Sequence, residues 1–260
     1  TPSRQIPIRS TLRRPVHPIR PRRQVPNLQT TVVALLGAES TGKTALSHAL
    51  VARAHRLDIP AVLVEETLRT WVNAHGRLPA AHDQASIATT HEDAITRAVS
   101  ALKATKQEAH ALVIADTTSI MTAAYSRYYF QDDAIWEQAR AAETAGGKRI
   151  RLLMGLDLPW QEEAGQRDGP QHQGGVDTLL RQHLSQHGWD YHVVYGKNEA
   201  RVDAAWRTIA TQLSREDWLD AQPESQGRSD WVCQDCSDPD CERYLFTRLL
   251  AAKSNNESSK

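Results

Sequence analysis

Hydrophobic and polar positions along the chain predict short apolar strands that alternate with amphipathic helices. The run TVVALL, starting at Thr31, is β-branched, apolar and of strand length, and residues 45–57 follow it with apolar positions at helical spacing. Further strand patterns lie at 61–64, 111–115, 149–154 and 191–195, and helical patterns lie at 84–102, 135–144, 176–187 and 199–213. Apolar strands that alternate with helices are typical of a parallel sheet covered on both sides. The sequence therefore predicts an α/β fold with a five-stranded, mainly parallel sheet and helices on both faces.

Composition divides the chain into three segments. Residues 1–29 hold six prolines, seven arginines and no acidic residue, which predicts an extended, disordered arm that makes at most a weak contact to nucleic acid or to an acidic partner. The rest of the chain carries 24 basic and 31 acidic residues, a formal charge of −7, which argues against a dedicated nucleic-acid-binding protein. We expect a folded domain over 30–214, and a linker with a small cysteine-containing appendage and polar tail over 215–260.

The sequence has no apolar run of the length that spans a bilayer, and its N-terminal stretch lacks the apolar centre of a secretory signal. We therefore expect a cytoplasmic protein without a membrane partner.

A phosphate-binding loop is the strongest motif in the sequence. The segment GAESTGKT, residues 37–44, fits the pattern G-x-x-x-x-G-K-[ST] between a predicted strand and a predicted helix. Glycines allow the backbone to curl so that successive N–H groups point inward, and the start of the helix adds its positive dipole end. In this role Lys43 neutralises phosphate charge and the Thr44 hydroxyl ligates Mg²⁺. The predicted ATP-binding residues are Gly37, Glu39, Ser40, Thr41, Gly42, Lys43, Thr44 and Ala45.

The acidic partner of this loop is predicted to be Asp116. It ends the apolar run ALVIA, so a strand would carry it to the carboxyl edge of the sheet, where ligands bind in open α/β folds. There it would hold Mg²⁺ together with Thr44. The alternative role is a cap for the helix that follows.

Two classes of nucleotide-binding protein fit the sequence poorly. Signalling GTPases read guanine with an Asn-Lys-x-Asp segment, whereas the corresponding residues 196–199 are GKNE. An AAA+ motor needs a second acidic residue after the strand aspartate, but Thr117 and Thr118 follow Asp116. A compact kinase that acts on a small acceptor fits better.

Several motifs around the loop resemble the NadR-type ribosylnicotinamide kinases, a family also described as AAA ATPases. The resemblance covers most of the core: Glu39 and Ser40 in the loop, Glu66 and Arg69 after the second strand, Ile87, Ala88 and His91 in the next helix, Asp116 and Thr117 with Thr122 and Tyr125, Pro159 and Trp160 with Gly165 and Arg167, and Tyr195 and Gly196 with Arg201. The sequence departs from the family at Thr118, where a second Asp is expected, and by one extra residue before Gly165.

The resemblance implies transfer of the ATP γ-phosphoryl group to the 5′-hydroxyl of nicotinamide riboside. It implies that Lys43, Asp116, Arg167 and Glu66 are catalytic, with Arg167 in a lid; the alternative for Arg167 is an ordinary surface arginine in a glycine-rich loop. Glu66 and Arg69 would bind the substrate, or else form an ion pair on one helix face. Trp160 would stack on the nicotinamide ring, or else be a half-buried structural tryptophan.

The C-terminal cysteines leave several interpretations open. Cys233, Cys236 and Cys241 have the spacing C-x-x-C-x-x-x-x-C, which can hold Zn²⁺ or an iron–sulfur cluster, but a fourth ligand is not evident. Free thiols or one disulfide are the alternatives. A competing function for the whole chain is an ATP-binding regulator that senses a nucleotide and signals to a protein partner.

Overall fold

A five-stranded sheet with helices on both faces forms the frame of the protein. The computed structural model describes residues 29–105, 110–145, 147–161 and 169–219. The strands are β1 Thr30–Leu36, β2 Ala61–Val64, β3 Ala111–Asp116, β4 Arg149–Met154 and β5 His192–Val194. The helices are α1 Lys43–Arg56, α2 Thr67–His75, α3 Gln84–Ala104, α4 Ser119–Phe130, α5 Ala134–Ala145, α6 Gln173–Gln186 and α7 Asn198–Gln212. Short 3₁₀ helices lie at Ala81–Asp83, Pro170–His172 and Glu216–Trp218.

The strand order is β2-β3-β1-β4-β5, and every neighbouring pair is parallel. The central strand β1 therefore lies between β3 and β4. After β1 the chain forms the edge strand β2 and then β3, and it next crosses to the other side of β1 to form β4 and β5. Ligands bind at such a reversal of strand order, beyond the carboxyl ends of the strands. The register pairs Leu35 with Asp116, so the loop after β1 and the end of β3 meet at this edge.

Alternate residues of the strands point to two different helical layers, as the two-residue period of a strand requires. Val33 and Leu35 of β1 pack with α1 and α7, whereas Ala34 and Leu36 pack with the layer that contains α4, α5 and α6. A third cluster joins Val32 to α3 through Ile95. The burial of both faces explains why the strand sequences are apolar throughout, and it confirms the predicted fold class.

The hydrophobic cluster that contains Val33 and Leu35 continues beyond residue 214, the predicted end of the folded domain. Trp218 is 5% exposed, and its carbonyl accepts a hydrogen bond of 3.0 Å from the Trp206 indole N–H. The two rings stack with centroids 5.8 Å apart.

Three groups of predictions lie outside the described residues: the arginine- and proline-rich arm, Gly165 and Arg167 of the predicted lid, and Cys233, Cys236 and Cys241. In the part of the chain that the structure describes, no helix combines the length and the apolar character needed to cross a membrane.

Candidate phosphate-binding and acceptor site

The phosphate loop links the central strand β1 to helix α1, as the sequence predicts. Three of its residues have positive φ: Gly37 at 143°, Ser40 at 58° and Gly42 at 79°. A Cβ atom at Gly37 would lie 2.9 Å from the Met154 Cβ, and one at Gly42 would lie 2.9 Å from the Leu158 Cδ1. Conformation therefore requires glycine at both positions, and at Gly37 the nearby Met154 Cβ leaves no space for a side chain either.

Lys43 and the first turn of α1 face the same region. The Lys43 ammonium donates to the carbonyls of Gly37 and Ala38, both at 2.8 Å, so it lies over the loop. Because α1 begins at Lys43, the N–H groups of its first turn have no acceptor within the helix. The loop thus combines a fixed cation with backbone donors, the combination that binds phosphate.

Asp116 reaches the loop through Thr44. The Thr44 hydroxyl donates to Oδ2 of Asp116 at 2.6 Å, and Oδ1 of the same carboxylate is buried and has no hydrogen-bond partner among the described residues. Burial raises the pKa of Asp116, against the opposing effects of the Thr44 hydrogen bond and the Lys43 charge. The alternative capping role is not what the structure shows, because Thr118 is the N-cap of α4 and accepts from the Ile120 N–H.

A cleft of about 780 Å³ opens over the phosphate loop. Its walls come from the loop and first turn of α1, from α2, from the segment after β4 and from the start of α7. Glu39, Ser40, Thr41, Gly42, Lys43, Thr44 and Ala45 all line it, so seven of the eight predicted ATP-binding residues share one wall.

A second cavity of about 360 Å³ adjoins the first. The two have in common Glu39, Glu66, Leu68, Leu78 and Tyr125. The second is otherwise largely apolar, and its own lining includes Ile87, Met121, Thr122, Tyr129 and Phe130.

Glu66 lies at the junction of the two cavities, and it forms the ion pair with Arg69 that was one of the two predicted roles of these residues. Arg69 Nε donates to Glu66 Oε2 at 2.9 Å, an ion pair between positions i and i+3 at the start of α2. Glu66 also lines both cavities, and Arg69 lines the phosphate cleft. Asp116 lines neither cavity, whereas Glu66 and Glu39 line both.

His91 is a site residue to which sequence reasoning assigned no role. It is 2% exposed, its Nε2 lies 3.1 Å from the Thr117 carbonyl, and its Nδ1 lies 2.7 Å from the Thr67 hydroxyl. Burial lowers its pKa, so the neutral ring donates to Thr117 and accepts from Thr67. The signal in the sequence was a histidine on the apolar face of α3.

Two positions that the resemblance singled out do not line the cavities. Trp160 is half-buried and does not line either cavity, although its neighbours Pro159 and Gln161 line the phosphate cleft. Thr118, the departure from the family pattern, is 1% exposed in its capping role and also lines neither cavity.

The glycine loop between β1 and α1, with its lysine and the aspartate at the end of β3, defines a P-loop protein. The AAA_28 family model, described as an AAA domain, matches residues 32–201, and the chain belongs to this family. No curated protein sequence matches the chain.

Solved structures share the fold. The crystal structure of NadR protein in complex with NAD and AMP-PNP has a TM-score of 0.55 at 18% identity, and that of NadR protein in complex with NR has 0.58 at 19%; each covers 76% of this chain and 52% of the NadR chain. This chain thus spans about half the length of those proteins. Thymidylate kinase from Ehrlichia chaffeensis has a TM-score of 0.52 at 15% identity, covering 71% of this chain and 99% of its own. The fold is therefore that of P-loop kinases, and the resemblance to NadR is confirmed at the level of the fold.

Proposed function

We propose that the protein is an ATP-dependent kinase that phosphorylates the 5′-hydroxyl of nicotinamide riboside, or of a related nucleoside, to give the mononucleotide. The observation that carries the proposal is the pair of adjoining cavities with Glu66 at their junction. A phosphate-binding cleft beside an acceptor-sized apolar cavity is the arrangement that phosphoryl transfer requires, since the reaction depends mainly on alignment and charge neutralisation.

The chemistry of the second cavity favours an acceptor without a phosphate group. Tyr125, Tyr129 and Phe130 provide aromatic surface, and Glu39 and Glu66 provide negative charge. No lysine or arginine occurs among the described residues that line this cavity, and the lowered pKa keeps its histidine, His91, neutral. A nucleoside monophosphate would be repelled there, whereas a cationic aromatic ring would be attracted.

In this proposal ATP lies along the larger cleft. Its phosphates occupy the loop and the first turn of α1, and its base lies at the opposite end, against the segment Lys197–Glu199 and the side chain of Val202. The helix dipole, the loop amides and Lys43 stabilise the phosphate chain.

Magnesium fits the donor set at Thr44 and Asp116. The ion prefers hydroxyl and carboxylate oxygens, and Oδ1 of Asp116 is a buried carboxylate oxygen without a hydrogen-bond partner among the described residues. Thr44 and Asp116 would hold the ion, which when bound neutralises phosphate charge.

The residues of the chain divide the catalytic work. Glu66, held by Arg69, orients the acceptor hydroxyl and accepts its proton, because it lines both cavities and its ion pair with Arg69 fixes its position. Lys43 neutralises the transferred phosphoryl group. Apolar and aromatic walls exclude water from the acceptor, which limits hydrolysis of ATP.

The test is ADP release from Mg-ATP with a panel of nicotinamide riboside, adenosine, thymidine and thymidine monophosphate. We expect nicotinamide riboside to stimulate turnover and the monophosphate to fail. Lys43→Ala should lower turnover by roughly 100-fold or more without loss of helicity, as removal of a transition-state donor does. Lys103→Ala, at an exposed position on α3, is the matched control and should behave as wild type.

If no compound in the panel stimulates ADP release although ATP binds tightly, the acceptor assignment is overturned and the alternative function, an ATP-binding regulator, is favoured. Undiminished turnover in Lys43→Ala would overturn the kinase assignment itself.

A further inference from the structure

The carbonyl groups of the phosphate loop have partners outside the loop as well as within it. The Ala38 carbonyl accepts from the Thr41 hydroxyl at 2.7 Å and from Lys43, both of which belong to the motif. Two other loop carbonyls are bound by side chains far away in sequence. Nε2 of Gln173 donates to the Glu39 carbonyl at 2.6 Å, and Nη2 of Arg201 donates to the Thr41 carbonyl at 2.9 Å.

These two contacts determine the direction of two backbone donors. In a trans peptide the C=O and the following N–H point in opposite directions, and the described chain has no cis peptide bond. Fixing the Glu39 carbonyl therefore directs the Ser40 N–H to the opposite side, and fixing the Thr41 carbonyl does the same for the Gly42 N–H. Ser40 and Gly42 both have positive φ, the conformation in which successive N–H groups converge on an anion.

Arg201 is itself held rigidly. It is 4% exposed, and Nη1 donates to Asp157 Oδ1 at 3.0 Å and to the Gly196 carbonyl at 2.8 Å. Asp157 also accepts from the Gly196 N–H at 2.7 Å. The guanidinium thus connects the phosphate loop to the segment after β4 and to the turn before α7.

Gln173 is anchored by different elements. It is the first residue of α6, and the preceding residue, His172, lies with Nδ1 3.1 Å from the Tyr128 hydroxyl of α4. A Cβ at Gly175 would lie 2.6 Å from the Tyr128 ring, so the start of α6 packs closely on α4. The amide that contacts the loop is therefore carried by a fixed helix end.

We propose that Gln173 and Arg201 are positioning residues that orient the Ser40 and Gly42 amides toward the phosphates before the nucleotide binds. The inference rests on the proposed nucleotide-binding function and adds two residues outside the G-x-x-x-x-G-K-[ST] motif. Orientation of the donors in advance removes an ordering cost from binding, so loss of either side chain weakens phosphate binding.

The test measures the Kd of inorganic tripolyphosphate with Mg²⁺ by calorimetry, so that recognition of the base does not contribute. Gln173→Ala and Gln173→Met should each bind about fivefold more weakly, the loss typical of one hydrogen bond. Arg201→Lys, which cannot reproduce the fork of donors, should lose about tenfold or more. Gln182→Ala on the exposed side of α6 and Arg207→Lys on the exposed side of α7 are matched controls and should bind as wild type.

Gln173→Met separates orientation from packing, because it keeps the length of the side chain and removes only the donor. Wild-type affinity in Gln173→Met would overturn the proposal for Gln173 and assign it a packing role, and wild-type affinity in Arg201→Lys would overturn it for Arg201. Equal losses in the two control variants would also overturn it. No binding by the wild type would instead be a failure of the proposed nucleotide-binding function.

Discussion

At the scale of single residues, Asp116 destabilises the fold at a position where we propose a magnesium ligand. Its side chain lies at the end of a wholly buried strand, one carboxylate oxygen has no hydrogen-bond partner among the described residues, and burial raises its pKa. A raised pKa means that the folded state holds the proton more tightly than the unfolded state does. Ionisation of Asp116 therefore destabilises the fold, with no cost below the ordinary Asp pKa and the full cost above the raised one.

Replacement of Asp116 by Asn should stabilise the protein and inactivate it. In the absence of Mg²⁺ near neutral pH, we expect the Tm of Asp116→Asn to rise by about 2 to 4 °C, which corresponds to removal of about 1 kcal/mol of destabilisation. The difference should vanish as the pH falls below the ordinary Asp pKa, and kinase activity should fall by roughly 100-fold. Thermal melts across pH measure this, with Asp93→Asn at an exposed position of α3 as control. A lower Tm for Asp116→Asn would contradict the argument.

At the scale of elements, the sequence predicted those parts of the fold whose periodicity comes from burial. All five strands and the helices α1, α3, α5, α6 and α7 appear within a few residues of their predicted bounds, because each has an apolar pattern that matches its geometry. No bounds were predicted for two helices, α2 and α4. α2 has only nine residues and none is buried, so its apolar positions Leu68, Trp71 and Val72 form too short a pattern, and α4 has buried residues on most sides, which removes the contrast between its faces.

The candidate site was also predictable only in part. The phosphate loop and Asp116 are local motifs, and their meeting follows from the adjacency of β1 and β3. The second cavity has walls from α2, from the segment after it and from α4, for which no bounds were predicted, so its lining residues Leu78, Tyr129 and Phe130 had no recognisable signal in the sequence. Arg201 appeared in the sequence only through the family resemblance and Gln173 did not appear at all, because the contacts that both make to the loop are with backbone carbonyls.

His91 of α3 contacts the start of α2 and the residue after β3, and it should make the stability of the fold depend on pH. It connects the start of α2, through Thr67, to the residue after β3, Thr117, and Thr117 has a φ of 78°. The lowered pKa means that the unfolded state binds the proton more tightly, so the stabilisation is complete above the ordinary His pKa and is lost as the pH falls toward the lowered one. A protonated ring cannot accept from Thr67 at Nδ1.

We expect His91→Gln to weaken this dependence on acid, because Gln can donate to Thr117 and accept from Thr67 but does not titrate. Between about pH 7 and pH 5, the wild type should lose more thermal stability than His91→Gln does. Thermal melts at several pH values measure the difference, and His48→Gln, at an exposed position on α1, should follow the wild type. Parallel curves for wild type and His91→Gln would show that His91 is not the titrating group.

At the scale of the whole molecule, a buried group of charges connects helices α3 and α5 to strand β4 of the sheet. We call Glu92, Glu143, Arg149 and Arg151 the arginine–glutamate cluster. Arg149 donates to Glu92 at 2.8 Å and to Glu143 at 3.2 Å, and Arg151 also pairs with Glu143. Glu92 further accepts from the N–H of Ser119 at 3.0 Å, three residues after Asp116. The cluster thus connects α3, α5 and β4 to the first turn of α4.

Neutralising one member should cost far more stability than breaking an exposed ion pair. The Glu143 side chain is 1% exposed and faces two arginines, 4% and 12% exposed, which would be left as buried charges without a full set of partners. Such a loss typically costs about 3 to 5 kcal/mol.

We expect Glu143→Gln, which keeps the shape of the side chain, to lower the Tm by about 10 °C. In Glu137→Gln, which breaks the solvent-exposed pair with Arg140 on the same helix, the Tm should be almost unchanged, because water and salt already screen that pair. Calorimetric melts of the two variants provide the comparison, and equal stability of Glu143→Gln and Glu137→Gln would mean that the cluster contributes no more than a surface pair.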